Sequence, residues 1–195
     1  VREMVAEGSS GDSIVAHCGV SAAQWGLTHA ADMVLFLAGD EEAEFVQGTL
    51  VAEESDWEGH VLKKDAAISS AYIRFKNGIH ANLVASGGWE FEVSGSKGKI
   101  RTLSNSLDYQ LRQADEHGEL NPVAVDPVEI GSGTQRGIED LACALDGAGD
   151  TMGNLELACR SQEMIFAVAE SHRLGGARVS LPLTNRQLAI APDHY

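Results

Sequence analysis

The feature that most constrains the fold is a block of short strands between two helical ends of the chain. From Ala43 to about Leu111, runs of β-branched and aromatic residues are separated by turn residues rather than by helices. Helical patterns precede this block at Trp25–Ala38 and follow it at Ile138–Leu145 and from Asn154 to about Arg173. The grouping predicts an α+β domain, an open and mostly antiparallel sheet with helices packed on one face.

Two turns can be located within the strand block. In IRFKNGIHANLVA, Asn77-Gly78 lies between two strand-like runs and matches a favoured two-residue hairpin turn. That turn predicts that Phe75 pairs with His80 and Ile73 with Asn82. GSKGKI at 95–100 contains glycines typical of phosphate-binding loops, but it joins strand to strand and no helix N-terminus follows it, so we predict a hairpin turn.

Composition limits the classes of partner. The chain has 195 residues and is 44% hydrophobic, which suffices for one core, so we predict a single domain over 1–195, with 1–8 the remnant of an upstream linking helix. A net charge of −15 disfavours binding to nucleic acid or to an anionic membrane. No apolar run approaches the roughly 18 residues that a membrane span needs.

The cysteines bear on the cellular compartment. Cys18, Cys143 and Cys159 are odd in number, have no C-x-x-C spacing and lie among apolar residues in the sequence. This pattern predicts reduced thiols in the core. Because reduced thiols are typical of reducing compartments, we predict a cytoplasmic protein.

GSGTQRG at 131–137 is the segment most similar to a nucleotide-binding loop. Glycines at the start of a helix let the backbone approach a pyrophosphate. The dinucleotide fingerprint also requires a returning parallel strand that ends in an acidic residue. Here DGAGDTMGN and another helix follow instead. We therefore predict a flexible strand-to-helix connection, and no cofactor bound by this chain alone.

His29 and Asp32 form the most suggestive pair of polar residues. They lie three residues apart in the helix predicted over 25–38 and therefore share a face. An imidazole can relay a proton near neutral pH, and a neighbouring carboxylate can hold it in one tautomer. From spacing alone, a buried histidine beside a solvated or capping aspartate is the alternative. A metal site with His17, on the strand predicted at Ser13–Val20, is a further alternative.

Two tryptophans are candidates for contact with a sugar. Trp25 begins the predicted helix and Trp89 begins a predicted strand. Aromatic faces suit the C–H surface of a pyranose, although large aromatic residues also fill protein cores. The residues alone leave both interpretations open.

Six segments together resemble the C-terminal domain of the glucose-fructose oxidoreductase, inositol dehydrogenase and MocA family. In order they are AEGSSGDSIVAHCGV, THAADMVLFLAGD, AYIRFKNGIHANLVAS, WEFEVSGSKGKI, TQRGIEDLACAL and GNLELACRSQEMIFAVAESHRLGGARVSLPL. The six segments follow one another with the order and spacing of the family, and together they extend over nearly the whole chain. The resemblance implies a domain like the C-terminal domain of dihydrodipicolinate reductase. It also implies that the full-length enzyme has an N-terminal Rossmann domain that binds NAD(P).

The resemblance further implies roles for residues. His29 corresponds to the family's active-site histidine and Asp32 to the acid one turn later, while residues near His17 and Trp89 would shape a sugar or polyol site. Many relatives carry an acid four residues before the histidine, where this chain has Trp25. The implied function is substrate binding and oligomerisation through the sheet face, without activity in this chain alone. The alternative is a stand-alone, non-catalytic carbohydrate- or partner-binding protein derived from the domain.

Overall fold

A nine-stranded sheet forms the framework of the domain. The structure is a computed structural model that describes residues 26–125 and 131–191 together with the backbone of Ser13–Cys18. The elements in chain order are β1 (Ser13–Cys18), α1 (Leu27–Leu37), β2 (Ala43–Leu50), a short 3-10 helix (Glu54–Asp56), β3 (Trp57–Glu58), β4 (Val61–Leu62), β5 (Ile68–Phe75), β6 (His80–Ala85), β7 (Trp89–Gly95), β8 (Gly98–Leu103), β9 (Asp108–Ala114), β10 (Leu120–Val123), α2 (Gly133–Leu145), α3 (Leu155–Arg173), β11 (Val179–Ser180) and β12 (Ala189–Ile190).

The strand order explains the fold class. The large sheet runs β10-β9-β8-β7-β1-β6-β5-β2-β11, and a small sheet runs β12-β4-β3. In the large sheet only the β1–β6 pair is parallel, among the strands described. The predicted α+β class with an open, mostly antiparallel sheet is therefore confirmed.

Helices α1 and α3 cover one face of the large sheet and form the core with it. Apolar residues recur at three- and four-residue steps on both helices, which places them on one stripe. Val34 of α1 and Val168 of α3 are fully buried, as are Val46 of β2 and Ile73 and Phe75 of β5. No helix of the described residues has the length and apolar character to cross a membrane.

Helix α2 does not join this core. None of its residues is buried, and its apolar side chains Ile138, Leu141 and Leu145 are largely exposed. The helix begins at Gly133, after the Ser132 hydroxyl accepts a 3.3 Å hydrogen bond from the Gln135 N–H. The prediction of a flexible connection over 131–137 was therefore wrong for most of that segment, because the Ser132 cap starts the helix there.

The register of the β5–β6 hairpin also differs from the prediction. Ile73 pairs with Ala81 rather than with Asn82, and Arg74 rather than Phe75 pairs with His80. The Phe75 N–H bonds to the Ile79 carbonyl, so the loop has three residues and ends at a glycine with φ of 94°. A shift of one residue exchanges the faces of one strand, which here brings Ala81 and Leu83 onto the buried face.

The second predicted turn is confirmed. Gly95 of β7 pairs with Gly98 of β8 across a two-residue turn. Gly98 also pairs with Gln113 of β9, and a Cβ atom at Gly98 would lie 2.3 Å from the Arg112 carbonyl oxygen. A glycine is therefore required where β8 passes between its two neighbours.

The prediction of core thiols was wrong for two cysteines. Cys143 on α2 and Cys159 on α3 are both exposed and free. Helix α2 is not packed against the sheet, and Cys159 lies on the solvent side of α3, so apolar neighbours in the sequence did not lead to burial. The side chain of Cys18 lies outside the described residues.

Candidate functional site

Helix α1 and strand β7 bring His29 and Trp89 together. His29 lies in the first turn of α1 and is exposed, whereas Trp89 begins β7 and packs partly against the core. Their ring centroids are 6.0 Å apart and their planes meet at 83°, an edge-to-face arrangement. The predicted proton relay and one of the predicted sugar-contacting tryptophans therefore form one surface, with an imidazole beside an indole.

The helix places His29 by burying its opposite face. Ala30, Ala31 and Val34 are nearly or fully inaccessible. The preceding Gly26 provides no side-chain cap, and the helix ends before Gly39, which has φ of 83°. Because α1 is anchored through its inner face, His29 and Asp32 lie on its exposed side.

Asp32 lies one turn beyond His29 and is also exposed. It lines a cleft between α1 and the start of α3. The other residues of this cleft are Leu35, Phe36, Asp40, Met152, Gly153, Asn154, Leu157, Ala158 and Ser161. Asp32 therefore lies between His29 and the cleft that separates α1 from α3. Its role in substrate binding stays a prediction.

For the two remaining predicted site residues, the structure describes only the backbone of His17 and does not describe Trp25. The Cα of His17 pairs with Glu90 on one side and with Val84 on the other, so its backbone lies beside the strand that carries Trp89. Its side chain lies outside the described residues, as does the whole of Trp25. Their predicted contacts with a substrate stay predictions.

A metal centre finds no support among the described side chains. Within residues 26–125 and 131–191, no three histidine, cysteine, aspartate or glutamate side chains converge in a way that would hold a metal ion. His29 and Asp32 lack a third donor there, and His17 is not among the side chains described.

The described residues also do not fit a dinucleotide. Most of the GSGTQRG segment forms the first turns of α2, and the next regular element is α3 rather than a strand. A dinucleotide fold needs a parallel strand after the helix to complete the βαβ unit. Among the described residues, the segment is therefore not followed by the strand that completes a dinucleotide-binding βαβ unit.

The residues that hold Trp89 could not be predicted from the sequence. The side chains of Asn105 and Ser106, in the loop between β8 and β9, bond to the Trp89 backbone. The available signal was the SNS triplet at 104–106, since serine and asparagine are typical of turns with left-handed backbone. That signal locates a turn, but it does not indicate which strand the turn contacts.

Comparison with known proteins identifies the family. A family model described as "Oxidoreductase family, C-terminal alpha/beta domain", of the Gfo/Idh/MocA group, matches residues 19–181. Curated protein sequences gave no significant match.

Solved oxidoreductase structures share the fold. Aldose-aldose oxidoreductase from Caulobacter crescentus, complexed with glycerol, has a TM-score of 0.67 at 20% identity over 92% of this chain and 59% of that one. Levoglucosan dehydrogenase, in complex with NADH and L-sorbose, has a TM-score of 0.68 at 18% identity over 93% and 62%. An NAD binding oxidoreductase from Klebsiella pneumoniae has a TM-score of 0.67 at 16% identity over 92% and 61%.

The chain spans about three fifths of the length of these structures. Identities this low show a common fold, whereas the family model is matched by most of the sequence. The chain thus belongs to the Gfo/Idh/MocA oxidoreductase family, whose C-terminal alpha/beta domain it contains.

Proposed function

We propose that this domain binds the substrate of an NAD(P)-dependent sugar or polyol oxidoreductase and is inactive without a Rossmann domain. The observation that carries the proposal is the exposed His29 imidazole held edge-to-face against Trp89. The complexes of similar folds point to the same substrate class, since they contain glycerol, levoglucosan or L-sorbose.

The chemistry assigned to this chain concerns the substrate. A ring nitrogen of His29 would accept a hydrogen bond from a substrate hydroxyl and take its proton while the carbinol carbon is oxidised. Trp89 would pack against the C–H surface of the sugar. Asp32, Trp25 and His17 are proposed as further substrate contacts. The hydride acceptor would be held by the Rossmann domain that the family resemblance implies for the full-length enzyme.

The proposal is tested by titrating the 195-residue chain with levoglucosan, L-sorbose and glycerol while NMR follows the His29 ring and the indole N–H groups. We expect resonances of His29 and Trp89 to shift with added sugar. Trp57, which stacks on His172 with centroids 6.4 Å apart, serves as the internal control and should not shift. The proposal fails if no sugar moves the His29 and Trp89 resonances, or if Trp57 moves equally.

Cofactor binding is tested by calorimetric titration with NAD(H) and NADP(H). We expect no heat of binding from this chain alone. Micromolar binding would contradict the proposal and would direct attention to the start of α2, where the glycines of 131–137 lie.

A non-catalytic carbohydrate- or partner-binding protein is the second candidate. Trp25 favours this second candidate. Many relatives carry an acid at that position, so in this chain His29 would have to relay the proton without it. The gene region upstream distinguishes the two candidates. A Rossmann domain in the same reading frame would support the enzyme, and a start codon without one would support the second candidate.

We also propose self-association through the sheet face that α1 and α3 leave uncovered. On this face Tyr72 lies between Phe45 and His80, with ring centroids 5.8 and 5.9 Å away. The Arg178 guanidinium lies 3.5 Å from the Phe45 ring centroid. Aromatic residues and arginine are enriched in protein interfaces, which supports this face as a contact surface.

Sedimentation velocity tests the self-association. We expect a dimer or larger oligomer that Tyr72→Glu dissociates, because a carboxylate would be buried without a partner in the interface. Lys97→Glu, in the exposed turn between β7 and β8, is the control and should leave the oligomer intact. A monomeric wild-type chain at high concentration would contradict the proposal.

Two free thiols support a cytoplasmic location as part of the same proposal. Cys143 and Cys159 are exposed, and exposed free thiols persist in a reducing compartment. Labelling of both thiols in freshly lysed cells, without prior reduction, would be the expected result.

A further inference from the structure

The loop between β8 and β9 has an unusual backbone. Ser104, Asn105 and Ser106 have φ values of 52°, 56° and 66°, so three consecutive residues with side chains adopt the left-handed conformation. This conformation is unfavourable for residues that carry a Cβ atom, and asparagine tolerates it best. Strained backbone of this kind persists where surrounding contacts hold it, and such sites often have a function.

The contacts that hold this loop are made to Trp89. The Trp89 N–H donates to the Asn105 Oδ1 at 3.1 Å, and the Ser106 hydroxyl donates to the Trp89 carbonyl at 3.0 Å. Both backbone groups on this side of Trp89 are therefore bonded to side chains of the loop. The Asn105 Oδ1 also lies 3.3 Å from where a Cβ atom of Gly88 would be, so the amide fits closely over the residue before Trp89.

Side chains of β8 and of the loop bond to β7 where the backbone pairing of β7 with β8 stops. The backbone pairing of β7 with β8 runs from Gly95 to Glu92. Beyond it, the Phe91 N–H donates to the Thr102 Oγ1 at 2.8 Å, and the Ser106 Oγ lies 3.2 Å from the same atom. The β7 backbone beyond Glu92 is thus bonded to the side chains of Thr102, Asn105 and Ser106, which fix the residue that carries the indole.

We propose that the Ser104–Ser106 loop is a positioning device, in which Asn105 and Ser106 hold Trp89 so that its indole meets the His29 ring. This inference rests on the proposed sugar site and deepens it. By fixing the indole, the loop determines how close a sugar ring can come to the imidazole, so Asn105 and Ser106 are positioning residues for substrate fit. Neither side chain needs to touch the substrate.

Four variants of the 195-residue chain test the proposal. Asn105→Gly removes the amide acceptor but keeps a residue suited to positive φ, so it separates the hydrogen bond from the backbone strain. Ser106→Ala removes the hydroxyl. Asn105→Asp restores an acceptor oxygen and is the rescue variant. Ser104→Gly relieves strain without removing a bond to Trp89 and is the matched control.

The readout is the chemical shift of the His29 ring carbons and protons, since the Trp89 ring current acts on them. Trp89→Ala defines the shift without the indole. We expect Asn105→Gly and Ser106→Ala to move the His29 resonances towards that value. We expect Asn105→Asp and Ser104→Gly to stay near wild type. If the loop is merely structural, Asn105→Gly and Ser106→Ala should lower the stability of the protein and leave the His29 resonances of the folded protein unchanged.

Sugar affinity gives the second readout. Loss of the fixed aromatic contact should weaken levoglucosan binding about 2- to 10-fold in Asn105→Gly and Ser106→Ala. The positioning role is overturned if both variants are folded and keep wild-type His29 resonances. If instead these variants move His29 while levoglucosan fails to bind even the wild type, the sugar site is refuted and the loop's hold on Trp89 is supported.

Discussion

The N–H of Gly48 donates a 2.9 Å hydrogen bond to the Ser171 Oγ, and the Ser171 hydroxyl donates a 2.6 Å bond to the Ala177 carbonyl. Strand β11 pairs with only two residues of β2, so side chains at the end of α3 take over the next N–H groups along this edge. The Leu50 N–H bonds in the same way to the His172 Nδ1 at 3.3 Å. Helix α3 therefore packs on one face of the sheet, and its last turn also provides hydrogen-bond acceptors for N–H groups of β2 that β11 does not reach.

Replacing Ser171 by alanine should destabilise the domain by about 1–3 kcal/mol, because the buried Gly48 N–H would lose its acceptor. Urea unfolding at neutral pH measures the change. Ser180→Ala, at an exposed position in β11, is the control and should change the free energy of unfolding little. Equal effects of the two substitutions would contradict the assigned role of Ser171.

Gly98→Ala should destabilise the sheet by about 1–3 kcal/mol, since its methyl group would lie too close to the Arg112 carbonyl and the hairpin would have to shift. Gly87→Ala is the matched control, because nothing lies within 4 Å of its Cβ position. Thermal unfolding monitored by circular dichroism compares the two variants. A Gly98→Ala midpoint no lower than that of Gly87→Ala would show that the sheet can adjust.

Glu170 should make stability depend on pH. Its carboxylate accepts two 2.8 Å hydrogen bonds from Arg173 and one of 3.1 Å from Asn185, and these bonds hold the pKa of Glu170 below its usual value despite burial. The folded pKa is lower than the unfolded one, near 4.3. The stabilisation is therefore present above about pH 4.3 and lost as the pH falls through the folded pKa.

Glu170→Gln should accordingly cost about 1–3 kcal/mol at pH 7, and the difference from wild type should shrink as the pH falls below about 4. Urea unfolding across this pH range measures it. Glu156→Gln is the control, because the Glu156–Arg160 pair joins residues four apart on α3 and Glu156 is 73% exposed. That pair should contribute at most about 0.5 kcal/mol. A difference that stays constant with pH would refute the role of Glu170 ionisation.

The separation of α2 from the core predicts a contrast between two substitutions of large apolar residues. Ile165→Ala on α3 should cost about 2–5 kcal/mol, since the side chain is 1% exposed and its loss leaves a cavity. Leu141→Ala on α2 should cost less than about 0.5 kcal/mol, because Leu141 is 53% exposed. Equilibrium unfolding in urea gives both values. A large cost for Leu141→Ala would mean that α2 is covered in solution.

Much of the fold could be predicted because it is encoded locally. The strand block, the helices α1 and α3 and the turn between β7 and β8 follow from the spacing of residue types that are near one another in the chain. The hairpin of β5 and β6 was predicted, but its register was not. The Asn77 amide donates a 2.9 Å bond to the Ala38 carbonyl at the end of α1, a contact that the hairpin sequence does not contain.

In the candidate site too, part could be predicted from the sequence and part could not. His29 could be chosen from the sequence because helical spacing and family resemblance both indicated it. Its contact with Trp89 joins a helix to a strand far along the chain, and the bond between Asn105 and Trp89 joins the loop after β8 to the start of β7.

The sequence by itself determined the fold class, because periodicity, capping and turn residues act over short distances. Its resemblance to a known family indicated His29 as a candidate, whereas the exposure of His29 came from the structure. Only the tertiary structure decided which strand meets which side chain. It also decided that the amphipathic α2 stays outside the core. It decided as well that side chains bond to backbone N–H groups of β2 and β7 that no neighbouring strand pairs with. These features depend on hydrogen bonds and packing between distant segments, whose partners no local pattern specifies.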